Sequence, residues 1–308
     1  MSLENEMTSK LDISAISPFN FDLSVRIFSD GDPEIRKYEN GMFWQVLRTD
    51  QGLVLVTVES EDAENLTVKM ESTEELSPKN LKSISNMVNK IFNLDMDLNP
   101  FYREIESDDV MNRITDRLHG LKNPTTPTLF EALVDSVAEQ QLSLKAAHSI
   151  ENRVIKSFGP SINIKGKTCY AYPTPEDFAF LELQKLRDCG LSFRKSEYIR
   201  DLSLGILNHE IDLDQIGKLN STQDMIDELC KIRGVGVWTG ELAVLRGLGR
   251  LDALPADDIG LRRAISHFYR DDVRISADEA CEIAHNWGKW KGLAGYYLIV
   301  AEIMGLKV

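Results

Sequence analysis

The sequence predicts an α+β protein, with a small antiparallel β domain near the N-terminus and an all-helical body after it. Two observations carry this reading. Between Phe21 and Met70, short β-type runs are punctuated by the turn sequences Asp30-Gly31-Asp32-Pro33, Glu39-Asn40-Gly41 and Asp50-Gln51-Gly52. From Asp108 onward, apolar residues recur at helical spacing almost without interruption. The 308 residues then divide into a polar, disordered arm (1–20), a β domain with one helix (21–107) and a helical region of two subdomains flanking a cleft (108–308).

The expected strands are Phe21–Phe28, Phe43–Arg48, Leu53–Val58 and Leu66–Met70, with Val54, Val56 and Val58 alternating onto one face. Lys79–Phe92 reads as an amphipathic helix, placing Ile84, Met87, Val88, Ile91 and Phe92 on one side. After the Pro124–Pro127 break, Leu129–Phe158 is a long helical stretch interrupted near its middle. Pro173-Thr174-Pro175 marks a loop, and Glu176–Cys189 holds one or two short helices. Phe193–Ile206, Gln223–Lys231, Val237–Arg246, Ile259–Tyr269, Ala277–Trp287 and Trp290–Met304 complete the body.

Cys169, Cys189, Cys230 and Cys281 are scattered, with none at metal-ligand spacing, and read as reduced core thiols. Neither an iron–sulfur cluster, a metal nor an organic cofactor is expected. No apolar run reaches membrane-spanning length, and no secretory apolar region opens the chain, so an intracellular protein (cytoplasm or nucleoid) is expected. The net charge of −14 opposes binding to nucleic acid, but its distribution is uneven. About −10 falls within residues 1–122 and about −4 in the rest, where Lys231, Arg233, Arg246, Arg250, Arg262, Arg263, Arg270 and Arg274 form a candidate basic face.

Two local patterns carry chemistry. Arg233-Gly234-Val235-Gly236 joins two amphipathic helices, and its glycines permit close backbone approach. The N–H groups opening the Val237 helix then suit a phosphate, a contact that grips without reading sequence. A plain tight turn is the alternative. About twenty residues on, Asp257-Asp258 enters another helix, whose positive end stabilises a carboxylate. A simple helix cap is the alternative there.

Helix, Gly-Val-Gly hairpin, helix and downstream aspartate together resemble the helix-hairpin-helix DNA glycosylases, the HhH-GPD superfamily. The resemblance spans about Leu129 to Met304. Alignment through Gly260-Leu261-Arg262-Arg263 places the family's catalytic aspartate on Asp258. Family members that also nick DNA carry a lysine where this chain has Trp238, so the resemblance implies a monofunctional enzyme. Gly236-Val237-Trp238-Thr239 is similar to the AlkA-type DNA-3-methyladenine glycosylases, in which this tryptophan lines the base pocket. Leu242 stands where the family is often aromatic, and the aromatic C-terminal segment (Trp287, Trp290, Tyr296, Tyr297) offers Tyr296 to the pocket.

Arg233, Gly234, Val235, Gly236 and Thr239 are the implied DNA contacts. Phe130–Ser143 resembles the helix and wedge loop of the family, so Gln140 or Gln141 is expected to fill the space a flipped base vacates. Gly190–Ile199 matches a further family segment, with Arg194 and Lys195 as candidate phosphate contacts. The implied activity is hydrolysis of the N-glycosidic bond of alkylated purines in damaged double-stranded DNA by a monomer. An enzyme for oxidised or deaminated bases, and a non-catalytic DNA-binding protein, are the alternatives.

Overall fold

The computed structural model describes residues 7–62 and 64–307. Strands β1 (Met7–Ser14), β2 (Arg36–Glu39), β3 (Met42–Thr49), β4 (Gly52–Ser60) and β5 (Asn65–Ser72) form one antiparallel sheet in the order β1-β5-β4-β3-β2. Val58 lies opposite Phe43 and Val68, and all three are at most 1% exposed. Helix α1 (Phe21–Val25) precedes β2, and α2 (Pro78–Phe92) covers the apolar face of the sheet. The Ser77 hydroxyl accepts from the Asn80 amide to start α2, and left-handed Asn93 ends it.

Two expectations in this half are corrected. The chain between Met7 and Ser14 is a strand of the sheet, not a disordered arm; residues 1–6 lie outside the described residues. Its ladder to β5 supplies the backbone hydrogen bonds, and of its apolar residues only Leu11 and Ile13 turn inward, so its composition looks polar. Phe21–Phe28 is α1 followed by a 3₁₀ turn rather than a strand, because the Asn20 side chain caps it by accepting from the Leu23 amide at 3.0 Å.

Helices α3 (Asn99–Glu104), α4 (Asp109–Arg117), α5 (Leu129–Glu139) and α6 (Leu144–Phe158) lead to a hairpin of β6 (Ser161–Ile164) and β7 (Lys167–Tyr170). Then follow α7 (Pro175–Ala179), α8 (Leu183–Asp188), α9 (Phe193–Leu207), α10 (Leu213–Gly217) and α11 (Thr222–Leu229). The body ends with α12 (Val237–Leu248), α13 (Ile259–Tyr269), α14 (Ala277–Ala284) and α15 (Lys291–Ile303). It holds two cores. Phe101, Trp287 and Tyr297 anchor one among α3, α4 and α13 to α15. Leu133, Val137, Leu229 and Ala243 belong to the other, among α5 to α12.

Arg36 of β2 fastens sheet to body, donating to Glu131 of α5 and Glu151 of α6, each at 3.2 Å. Burial lifts Glu131 to about 7 despite the guanidinium beside it, and lifts Asp135, which accepts from the Tyr172 hydroxyl at 2.6 Å. Cys169 and Cys189 are core thiols as expected, whereas Cys230 is half-buried and Cys281 is exposed. Among the described residues, no group of three or more His, Cys, Asp or Glu has metal-binding geometry. Nor is any helix among the described residues long and apolar enough to cross a membrane.

Candidate active site

The hairpin between α11 and α12 assigns its two glycines different duties. Gly234 has φ +90°, and a Cβ there would fall 2.3 Å from the Tyr198 ring, so the fold itself demands glycine. Gly236 has φ −98°, and nothing lies within 4 Å of where its Cβ would stand. It opens α12 with no side-chain cap, whereas α5, α6, α9, α11 and α13 each start on a Ser, Thr or Asp that provides one. The first-turn N–H groups of α12 therefore face exposed space beside Val237, which is 59% exposed.

Side chains expected to grip phosphate beside this turn are occupied elsewhere. Arg233 is ion-paired to Asp201 at 2.6 Å and Glu197 at 3.1 Å, over the Tyr198 ring. Arg246 and Arg263 are paired with Glu139 and Glu302. Lys195, offered as a phosphate contact, donates instead to the carbonyls of Ala138 (2.9 Å) and Gln140 (2.6 Å) at the end of α5. Thr239 is only 2% exposed, and its hydroxyl accepts from Gln140 Nε2. Val235 is buried in the second core. Half of the expected basic face is ion-paired, Lys231 to nearby Glu228 and three arginines to acids distant in sequence and invisible to a local count.

Asp258 caps a helix, the alternative expected of it, and its second oxygen meets the Trp238 indole. Its Oδ1 accepts from the Leu261 amide at 2.8 Å, capping α13, while Oδ2 accepts from the Trp238 indole Nε1 at 3.2 Å. Two N–H donors thus fix the orientation of the carboxylate at the start of a helix. Trp238 is half-buried; one turn on, Leu242 is 4% exposed. Tyr296 lies in the field of Arg246, and its hydroxyl is buried without a partner, as is Trp290 Nε1. Trp287 and Tyr297 are ordinary core, held by Asp108 at 3.1 Å and the Leu121 carbonyl at 2.7 Å.

Sequence reasoning missed Glu139, Arg246 as its partner, and Glu241. Arg246 Nη1 reaches both oxygens of Glu139 and also feels the charge of Asp258. Burial, reinforced by Asp257, raises Glu241 to about 7. No spacing rule relates positions 139 and 246, so only the packing of α5 on α12 discloses that pair.

Residues 134–289 match the family described as HhH-GPD superfamily base excision DNA repair protein. The chain belongs to this superfamily. A DNA-3-methyladenine glycosylase of Bacillus subtilis is 33% identical over 217 residues, covering 70% of this chain and 71% of the relative. The 3-methyladenine DNA-glycosylase of Archaeoglobus fulgidus has the same fold, with a TM-score of 0.85 at 23% identity over 96% of this chain and 100% of that one. The Schizosaccharomyces pombe 3-methyladenine DNA glycosylase, solved in complex with abasic DNA, shares 25% identity at a TM-score of 0.57. It covers 68% of this chain and 100% of that structure. Superfamily membership gives the hairpin and the downstream aspartate a common context.

Proposed function

We propose that the protein is a monofunctional DNA glycosylase of base excision repair, hydrolysing the N-glycosidic bond of alkylated purines of the 3-methyladenine type. The observation that carries the mechanism is the hydrogen bond from Trp238 Nε1 to Asp258 Oδ2, which joins an aromatic wall to an oriented carboxylate.

In this reading, the bare N-terminus of α12 at Gly236 holds a phosphate of double-stranded DNA, and the damaged nucleotide is turned out against Trp238. A cationic alkylated purine stacks on the indole face, with the partnerless Tyr296 hydroxyl as a polar contact and Leu242 as an apolar wall. An alkylated base already carries positive charge, so it leaves without needing a proton donor. The C1′–N bond breaks with its electron pair going to the base, and positive charge develops on the sugar beside Asp258. Water adds its oxygen to C1′ and passes a proton to the carboxylate, leaving an abasic site. Trp238 occupies the position of the strand-nicking lysine, which supports base release without a break. The enzyme acts as a monomer inside the cell, where its DNA is.

The test is base release from methylated duplex DNA by wild type and Asp258→Asn, with free bases resolved from strand breaks. Release of methylated purines without nicking, lost in the variant with DNA binding kept, is the expected result. Nicking before alkali treatment would overturn the monofunctional assignment. Equal loss of binding and release would reduce Asp258 to a cap.

A further inference from the structure

We propose that Gln140 is a positioning residue, a strut that fixes the loop between α5 and α6 to the α11–α12 hairpin, and that Gln141 alone of the pair enters the duplex. This rests on the base-flipping reading above. The Gln140 amide is already committed: Nε2 donates to the Gly234 carbonyl at 2.9 Å and to Thr239 Oγ1 at 3.1 Å. Its own carbonyl accepts from Lys195 Nζ at 2.6 Å, and the Ala138 carbonyl accepts from the same ammonium at 2.9 Å.

The residue thus leaves α5 pinned on two sides. The next residue turns outward. Gln141 adopts φ +57° and is exposed, as are Leu142 at 41% and Leu144 at 53%. Four residues therefore separate α5 from α6, the first anchored and the second presented.

Filling a vacated base position opposes the stacking and pairing that the duplex loses, a load of a few kcal/mol. A wedge on an untethered four-residue loop would yield to that load. Through Gln140, the load reaches Gly234 and Thr239, which flank the turn that carries the phosphate site at Gly236. Grip and wedge are then one rigid geometry.

The test is a double-mutant cycle of Gln140→Ala and Thr239→Val. One readout is fluorescence of 2-aminopurine placed opposite a tetrahydrofuran abasic analogue; the other is single-turnover release of methylated purines. Each single change should lower both signals about tenfold, and the double variant should be no worse than either. Gln141→Ala should also lower the fluorescence response, but its effect should multiply with that of Thr239→Val. Gln140→Glu, which keeps the volume and loses the N–H donors, repeats the Gln140 measurement should Gln140→Ala fold poorly. Multiplying effects of Gln140 and Thr239, or no effect of either, would overturn the strut while wild-type activity upholds the enzyme. A wild type that releases no base and gives no fluorescence change would overturn the enzymatic reading, and the strut with it.

Discussion

Arg246 donates through one Nη1 to both carboxylate oxygens of Glu139, at 2.7 and 2.8 Å, tying the second half of α12 to the last turn of α5. The pair is about one-third and one-sixth exposed at its two ends, so it is neither a surface bridge nor a sealed one. Arg246→Ala strands a largely buried carboxylate and is expected to cost about 1–3 kcal/mol in urea unfolding. Adding Glu139→Ala should recover part of that loss. A double variant as unstable as the sum of the singles would show that the two groups do not interact.

Trp238→Phe keeps an aromatic face but deletes the indole N–H that holds Asp258 Oδ2. Single-turnover base release should fall about tenfold, the scale of one misoriented catalytic hydrogen bond. Trp238→Ala loses the stacking surface as well and should fall further. Equal rates for the phenylalanine variant and wild type would leave the indole N–H without a part in orienting the acid.

The two hairpin glycines should separate folding from binding. Gly234→Ala meets both a left-handed backbone and the Tyr198 ring, and should lower stability by about 2 kcal/mol or more. Gly236→Ala meets no protein atom, so its melting temperature should hold near wild type while duplex affinity drops. Thermal unfolding and fluorescence anisotropy with a duplex check the contrast. Affinity unchanged in Gly236→Ala would remove the phosphate from that position.

Glu131 gives the protein a pH-dependent stability. Its folded value of about 7 lies above the ordinary glutamate range, so the unfolded chain ionises first as pH rises. Stability should therefore decline between about pH 4.5 and pH 7 and level off above, by about 1–3 kcal/mol from this group. Glu131→Gln should flatten that decline in denaturant titrations at several pH values. A decline unchanged in the variant would assign it to other groups.

The long helices were legible because each repeats its apolar face over three or more turns; α13 runs from Ile259 to Tyr269, as its spacing predicts. The four-residue strands β2, β6 and β7 were not, since a segment so short has no period to read. At the site, Asp258, Trp238 and the glycines were readable from one stretch of chain. The hydrogen bonds of Gln140 were not readable, because its partners, Gly234 and Thr239, lie over 90 residues away. The ion pairs of Arg233, Arg246 and Arg263 were hidden for the same reason: charge is visible in a sequence, and its neutralisation across the fold is not.

Among the described residues, strand β1 pairs on one side only, with β5, over the full run from Met7 to Ser14. Shortening the chain past Ser14 would bare a row of main-chain donors and acceptors along β5, an open template for another strand. Variants trimmed for crystallisation should then self-associate even though the catalytic half is untouched, a change visible in size-exclusion elution. For anyone handling this protein, the strand Met7–Ser14 is the cap on a sticky rim.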